Sequence, residues 1–152
     1  MDPGDEPFMR MAIQEAGACL AWQDVPVGCV IARGPEVLAV AGNGRERHHD
    51  PTAHAEILAI RQAATQLGNY RLIGATLYCT LEPCVMCAGA LVAARIQRLV
   101  FGARDLRFGG VRSKFQVADS PVLNHRVEVV EGVLAVECVE RLREFFEAQR
   151  RR

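Results

Sequence analysis

From Ala53 to Ala103 the sequence alternates between helical periodicity and short apolar runs, and this alternation limits the possible fold more than any other feature. A helix is expected from Ala53 to a stop at Gly68-Asn69, burying Ala53, Ile57, Ile60, Ala64 and Leu67. Ala75–Thr80 reads as a buried strand, Cys84–Ala94 as a helix with proline at its first position, and Leu99–Ala103 as another strand. Strands joined through a helix pair in parallel. Upstream, Phe8, Met11, Ala12, Ala16, Cys19 and Leu20 recur at helical spacing. Val25–Ala32 and Val37–Ala41 form a hairpin around Arg33-Gly34-Pro35-Glu36, and Asn43–Thr52 is polar loop. Residues 104–125 show no period, Val127–Val130 is a last strand, and 134–152 a final helix burying Leu134, Cys138, Leu142 and Phe145. One three-layer α/β domain over 1–152 follows: a mixed five-stranded sheet flanked by helices, with flexible ends at about 1–7 and 150–152.

Composition excludes several classes. Half of the 152 residues are hydrophobic and 18 basic groups balance 18 acidic ones, so a disordered chain is ruled out. The longest apolar stretch stops at Arg95, short of the ~18 residues a membrane span needs, and Met1–Glu6 lacks the features of a secretion signal. A cytoplasmic location is the expectation. There six cysteines stay reduced, and Cys19, Cys29, Cys79 and Cys138, each in an apolar run, read as small buried hydrophobes. Charge is uneven: residues 91–115 carry six basic groups against Asp105 alone, and five arginines crowd the last twelve residues. Charge alone leaves both a solvated surface and a phosphate-binding one open.

One constellation carries chemistry. His54-Ala55-Glu56 is followed about thirty residues later by Pro83-Cys84-Val85-Met86-Cys87. Cys84 and Cys87 stand three apart at a helix start, where both sulfurs share one side and the helix dipole favours thiolates. If the start of the His54 helix converges on them, one nitrogen and two sulfurs hold one Zn²⁺ and leave its fourth position to water. Glu56 would then do general acid/base work. The spacing also leaves open a redox pair, or a structural zinc completed by Cys79, His48 or His49.

These residues match the zinc deaminase signature, H-x-E with P-C-x-x-C. Beyond it, Val25-Pro26-Val27-Gly28, Asp50-Pro51-Thr52-Ala53, Asn69-Tyr70-Arg71-Leu72, Thr80-Leu81-Glu82, Phe101-Gly102-Ala103-Arg104-Asp105 and Asn124-His125-Arg126-Val127-Glu128 resemble the bacterial tRNA-specific adenosine deaminases of the cytidine deaminase-like superfamily. The resemblance runs from about Phe8 to Arg150.

It implies a cytidine deaminase-like fold, one zinc per chain, and hydrolytic conversion of adenosine to inosine at the wobble position of a tRNA anticodon, chiefly of an arginine tRNA, by a homodimer. His54, Cys84 and Cys87 match the family's zinc ligands and Glu56 its proton shuttle. Asn43 matches a residue that hydrogen-bonds the base, and Ala55 and Leu81 line the pocket. An unpaired loop nucleotide is cheap to extrude. Arg104, Arg107 and Lys114 are placed to meet flanking phosphates, and Asp105 to accept from a 2′-hydroxyl. Where relatives carry a small turn after Asp105, this chain has bulkier Phe108 and Arg112. A deaminase of a free nucleobase or nucleoside, and a non-catalytic zinc RNA-binding module, are the alternative readings.

Overall fold

Strand alternation decides the layers. In the computed structural model, which describes residues 4–151, Gly28–Arg33 (β1) and Glu36–Gly42 (β2) form a hairpin closed by Gly34, at φ +58°, and Pro35. Left-handed φ is natural for glycine, and Arg33 faces Glu36 across the turn. Thr76–Leu81 (β3) adds antiparallel to β1, and Arg98–Ala103 (β4) and Glu128–Glu131 (β5) add in parallel. The sheet order is β2-β1-β3-β4-β5.

Successive side chains point to opposite faces. Cys29, Ile31, Leu77, Cys79, Leu99 and Phe101 belong to one buried cluster, which takes in residues of Ala55–Leu67 and Val85–Ala93. Val30, Ala32, Tyr78 and Val100 belong to the other, with residues of Asp5–Ala18 and Cys138 of Ala135–Arg150. In chain order the helices are α1 (Asp5–Ala18), α2 (Arg45–His48), α3 (Ala55–Leu67), α4 (Val85–Ala93) and α5 (Ala135–Arg150). A Cβ at Gly28 would collide with the Ala12 carbonyl of α1, so this close approach needs glycine.

Five expectations are corrected. Ala53 is buried, but on α3 the buried side chains are Ala55, Glu56, Ala59 and Ala63, while Ile57, Ile60, Ala64 and Leu67 are half-buried, because the alanine face lies closest to the sheet. The polar stretch after Asn43 contains α2, because Asp24 Oδ2 accepts the Glu46 N–H at 2.7 Å and caps its first turn from another part of the chain. Pro83 precedes the N-cap of α4 instead of occupying the first helical position, since Cys84 is still extended (ψ 177°) and caps the helix. Within the expected flexible ends, residues 1–3 and 152 lie outside the described residues. Asp5–Pro7, however, are helical: Asp5 is buried, bound through both carboxylate oxygens to Arg98 at 2.7 and 2.6 Å and by the Tyr78 hydroxyl at 3.1 Å. On α5 only Cys138 is fully buried, and Leu134, Leu142 and Phe145 are half-buried.

Candidate metal centre and active site

α3 and α4 pack over the same sheet face, and each begins with a residue that carries chemistry. His54, extended at ψ 154°, is the N-cap of α3, and Cys84 is the N-cap of α4, with Cys87 in its first turn. β3 delivers Cys84 through Glu82 and Pro83 at its carboxyl end. His54 Nδ1 lies 3.7 Å from Cys84 Sγ and 3.5 Å from Cys87 Sγ. With zinc–sulfur and zinc–nitrogen bonds of about 2.3 and 2.05 Å at the tetrahedral angle, the expected nitrogen–sulfur separation is about 3.6 Å. The donor set therefore fits one zinc in both chemistry and spacing. Among the described residues it is the one group of three such donors gathered this closely.

Crowding shows in their acidities. The Cys84 thiol is pulled down to about 4, chiefly by a hydrogen bond from Cys87 and, against the cost of burial, by His54. Cys87 is pushed up by that same bond to Cys84 and by burial. His54 is raised by its bond to Cys84. Glu56, one residue into α3, is 4% exposed, and burial raises its carboxyl above the ordinary value. A buried carboxyl that holds protons readily, beside a metal-binding triad, is suited to proton transfer.

Residues 3–103 match the model of the cytidine and deoxycytidylate deaminase zinc-binding region. The chain is 46% identical over 147 residues to a tRNA-specific adenosine deaminase of Haemophilus influenzae, covering 96% of this chain and 85% of that one. To the tRNA-specific adenosine deaminase of Aquifex aeolicus it is 45% identical, covering 97% of each. The chain belongs to the zinc-dependent deaminases, in their tRNA-specific adenosine deaminase branch. A solved structure from work on A-to-I editing by tRNA:A34 deaminases at the wobble position superposes with a TM-score of 0.86 at 43% identity, covering 90% of this chain and 99% of that one. The family resemblance and the cytidine deaminase-like fold expected from sequence hold, and zinc is the cofactor.

The closed-site alternative finds no support in the deaminase's geometry. Cys79 lies opposite Cys29 between β3 and β1, while His48 and His49 end α2, outside the donor group. Cys19, Cys29, Cys79 and Cys138 are all buried free thiols, as expected. No helix among the described residues is long and apolar enough to cross a membrane.

The other residues singled out from sequence are not equally available. Ala55 opens α3, where backbone N–H groups lack intrahelical partners, and Leu81 ends β3. Asn43 is buried: its Nδ2 donates to Asp24 Oδ1 and to the Val25 carbonyl, both at 3.1 Å, and its Oδ1 accepts the Arg45 N–H at 3.3 Å. Asp105 Oδ1 accepts the N–H groups of Arg107 and Phe108, closing a turn of its own. Arg104 is bound to Glu131 through two hydrogen bonds.

The positive stretch 91–115 is thus largely spent internally. Arg98 goes to Asp5, Arg104 to Glu131, Arg112 to Asp119, and Arg95 to the Val92 carbonyl and Asn124. Arg107, stacked on Phe108, and Lys114 are its two cations with neither an ion pair nor a side-chain hydrogen bond among the described residues. Two organising residues escaped the sequence reading. Asp24, 1% exposed, holds Asn43 and the start of α2. Glu82, 2% exposed, gathers the 105–113 segment. Neither belongs to a periodic pattern or a motif of spaced ligands, so no local signal marks them.

Proposed function

We propose that this deaminase converts adenosine to inosine at the wobble position of a tRNA anticodon, an arginine tRNA foremost, in the cytoplasm and as a homodimer. The single observation that carries the reading is the meeting of His54, Cys84 and Cys87 within metal-binding distance beside buried Glu56. His54 Nδ1 and the sulfurs of Cys84 and Cys87 hold the zinc. Bound there, zinc supplies Lewis acidity that makes a water molecule nucleophilic near neutral pH. Glu56 takes the proton that this water sheds as it attacks C6. It returns the proton to the base at N1, then takes the proton of the hydroxyl now on C6 and passes it to the amine, which leaves as ammonia as the C6 carbonyl forms. The Ala55 N–H and the remaining lone pair of Asn43 Oδ1 orient the base, Leu81 walls the pocket, and Arg107 and Lys114 meet phosphates on either side of the extruded nucleotide. Homodimer formation has support in α4, whose sequence carries no charged residue and leaves Val85, Met86, Ala90 and Ala93 partly or fully exposed.

The test is to incubate the zinc-loaded protein with a total tRNA pool and map inosine by sequencing, with guanine, cytosine and adenosine as small-substrate controls. Inosine confined to wobble positions supports the reading. Turnover of the small molecules without inosine in tRNA overturns it in favour of a nucleobase deaminase.

A further inference from the structure

Between β3 and the first zinc-binding cysteine lies a buried negative charge that the chemistry above does not use. The Glu82 carboxylate accepts the backbone N–H groups of Asp105 (3.1 Å), Val111 (3.1 Å), Arg112 (2.8 Å) and Ser113 (3.0 Å), and the Ser113 hydroxyl as well. Each of these contacts sets a donor against the carboxylate, so Glu82 serves throughout as an acceptor. Five donors converging on one side chain from a segment more than twenty residues away form an anion nest.

The same segment is stitched to the metal-bearing turn by its backbone. The Gly110 N–H donates to the Pro83 carbonyl at 2.8 Å, Gly109 bridges Cys84, and the Glu82 N–H donates to Ala103 at 2.8 Å. A Cβ at Gly110 would come within 2.7 Å of the Val85 backbone. Apolar packing does little of this holding: Leu106, Phe108 and Phe115 are exposed, and Val111 is the buried apolar side chain of the stretch. Arg107 lies between Asp105 and Val111, and Lys114 directly follows Ser113, so both are carried by the residues whose N–H groups Glu82 collects.

We infer that Glu82 is a positioning residue for substrate: through its buried carboxylate it sets the 105–113 segment, and with it Arg107 and Lys114, at a fixed distance from the start of α4 that carries Cys84 and Cys87. The hydrogen bonds of its carboxylate all go to residues 105–113 and none to the metal donors' side chains, so it governs capture of the RNA and not the chemical step. A carboxylate is required because it only accepts; an amide in its place turns an NH₂ toward backbone N–H donors.

This inference rests on the tRNA reading, and the experiment separates the two. Steady-state kinetics are measured on zinc-loaded wild type, Glu82→Gln and Ser113→Ala, with an anticodon stem-loop RNA bearing adenosine at the wobble position. For Glu82→Gln, KM rises about tenfold while kcat falls by less than about threefold, and zinc stays at one per chain. Ser113→Ala, which removes one donor of the five, shows the same split at about two- to threefold and decides the matter if Glu82→Gln does not fold. A merely structural role would lower zinc content and kcat together and leave the KM of the remaining enzyme unchanged; that result, or an unchanged KM in both variants, overturns the inference. A wild type inert on the stem-loop sinks the functional reading instead.

Discussion

The division of the basic stretch into spent and free cations yields a quantitative expectation for RNA binding. Arg104 and Arg112 are engaged by Glu131 and Asp119, whereas Arg107 and Lys114 face solvent. Phosphate contacts release counterions, so each contributes about 0.7 to the slope of log affinity against log salt for a single strand. Replacing Arg107 and Lys114 by alanine removes about 1.4 from that slope, so a fourfold rise in salt weakens the variant about sevenfold less than the wild type. Arg104→Ala with Arg112→Ala removes the same formal charge but no phosphate contact, and its slope should equal that of the wild type. Fluorescence anisotropy of a labelled anticodon stem-loop, titrated at several salt concentrations, reads both slopes directly. If the Arg104/Arg112 pair flattens the dependence as much as the Arg107/Lys114 pair does, internal pairing does not decide which cations meet RNA, and the reasoning fails.

Glu56→Gln should keep one zinc per chain while kcat falls by about 10²- to 10⁴-fold; activity within about tenfold of wild type would remove Glu56 from proton transfer. Cys87→Ala, by contrast, should lose zinc by metal analysis and melt earlier, because metal binding and folding are linked. Asp5→Ala strands Arg98, whose side chain is 19% exposed, and the Tyr78 hydroxyl. The cost is about 3 kcal/mol, a fall in Tm of about 6–12 °C for a domain of this size. The Arg98 guanidinium holds the Asp5 carboxyl below its usual value, so this stabilisation is complete above the ordinary carboxylate pKa of about 3.9 and is lost as pH falls through the lower folded value. The Tm difference between wild type and Asp5→Ala should therefore hold from pH 5 to 8 and shrink only below about pH 4; a difference already gone at pH 6 would contradict the ion pair's role.

What the sequence disclosed follows from the range of the forces involved. The helix after Ala53, the stop at Gly68 and the strand at Ala75–Thr80 are set by neighbours within a few residues and reappear in α3 and β3, whereas the buried face of α3 was misplaced, falling on Ala55, Glu56, Ala59 and Ala63. The convergence of His54, Cys84 and Cys87, with Glu56 buried in the same helix start, was legible because such a donor set is read from residue type and spacing. Asp5, Asp24 and Glu82 were not, since their partners lie 93, 22 and 23–31 residues away. The positive balance of 91–115 could not be resolved into paired and free cations for the same reason. Asp5, Asp119 and Glu131, which offset it, fall outside the window in which it was summed.

The separation of the zinc donors between the start of α3 and the start of α4 also bears on how the molecule is made. A local Cys-x-x-Cys/His knuckle draws its donors from neighbouring residues, but here imidazole and thiols are brought together across β3, which lies between β1 and β4. The donor set therefore exists only where α3 and α4 are packed over the sheet, so an ion held there ties together two stretches about thirty residues apart and rewards the tertiary arrangement instead of a local turn.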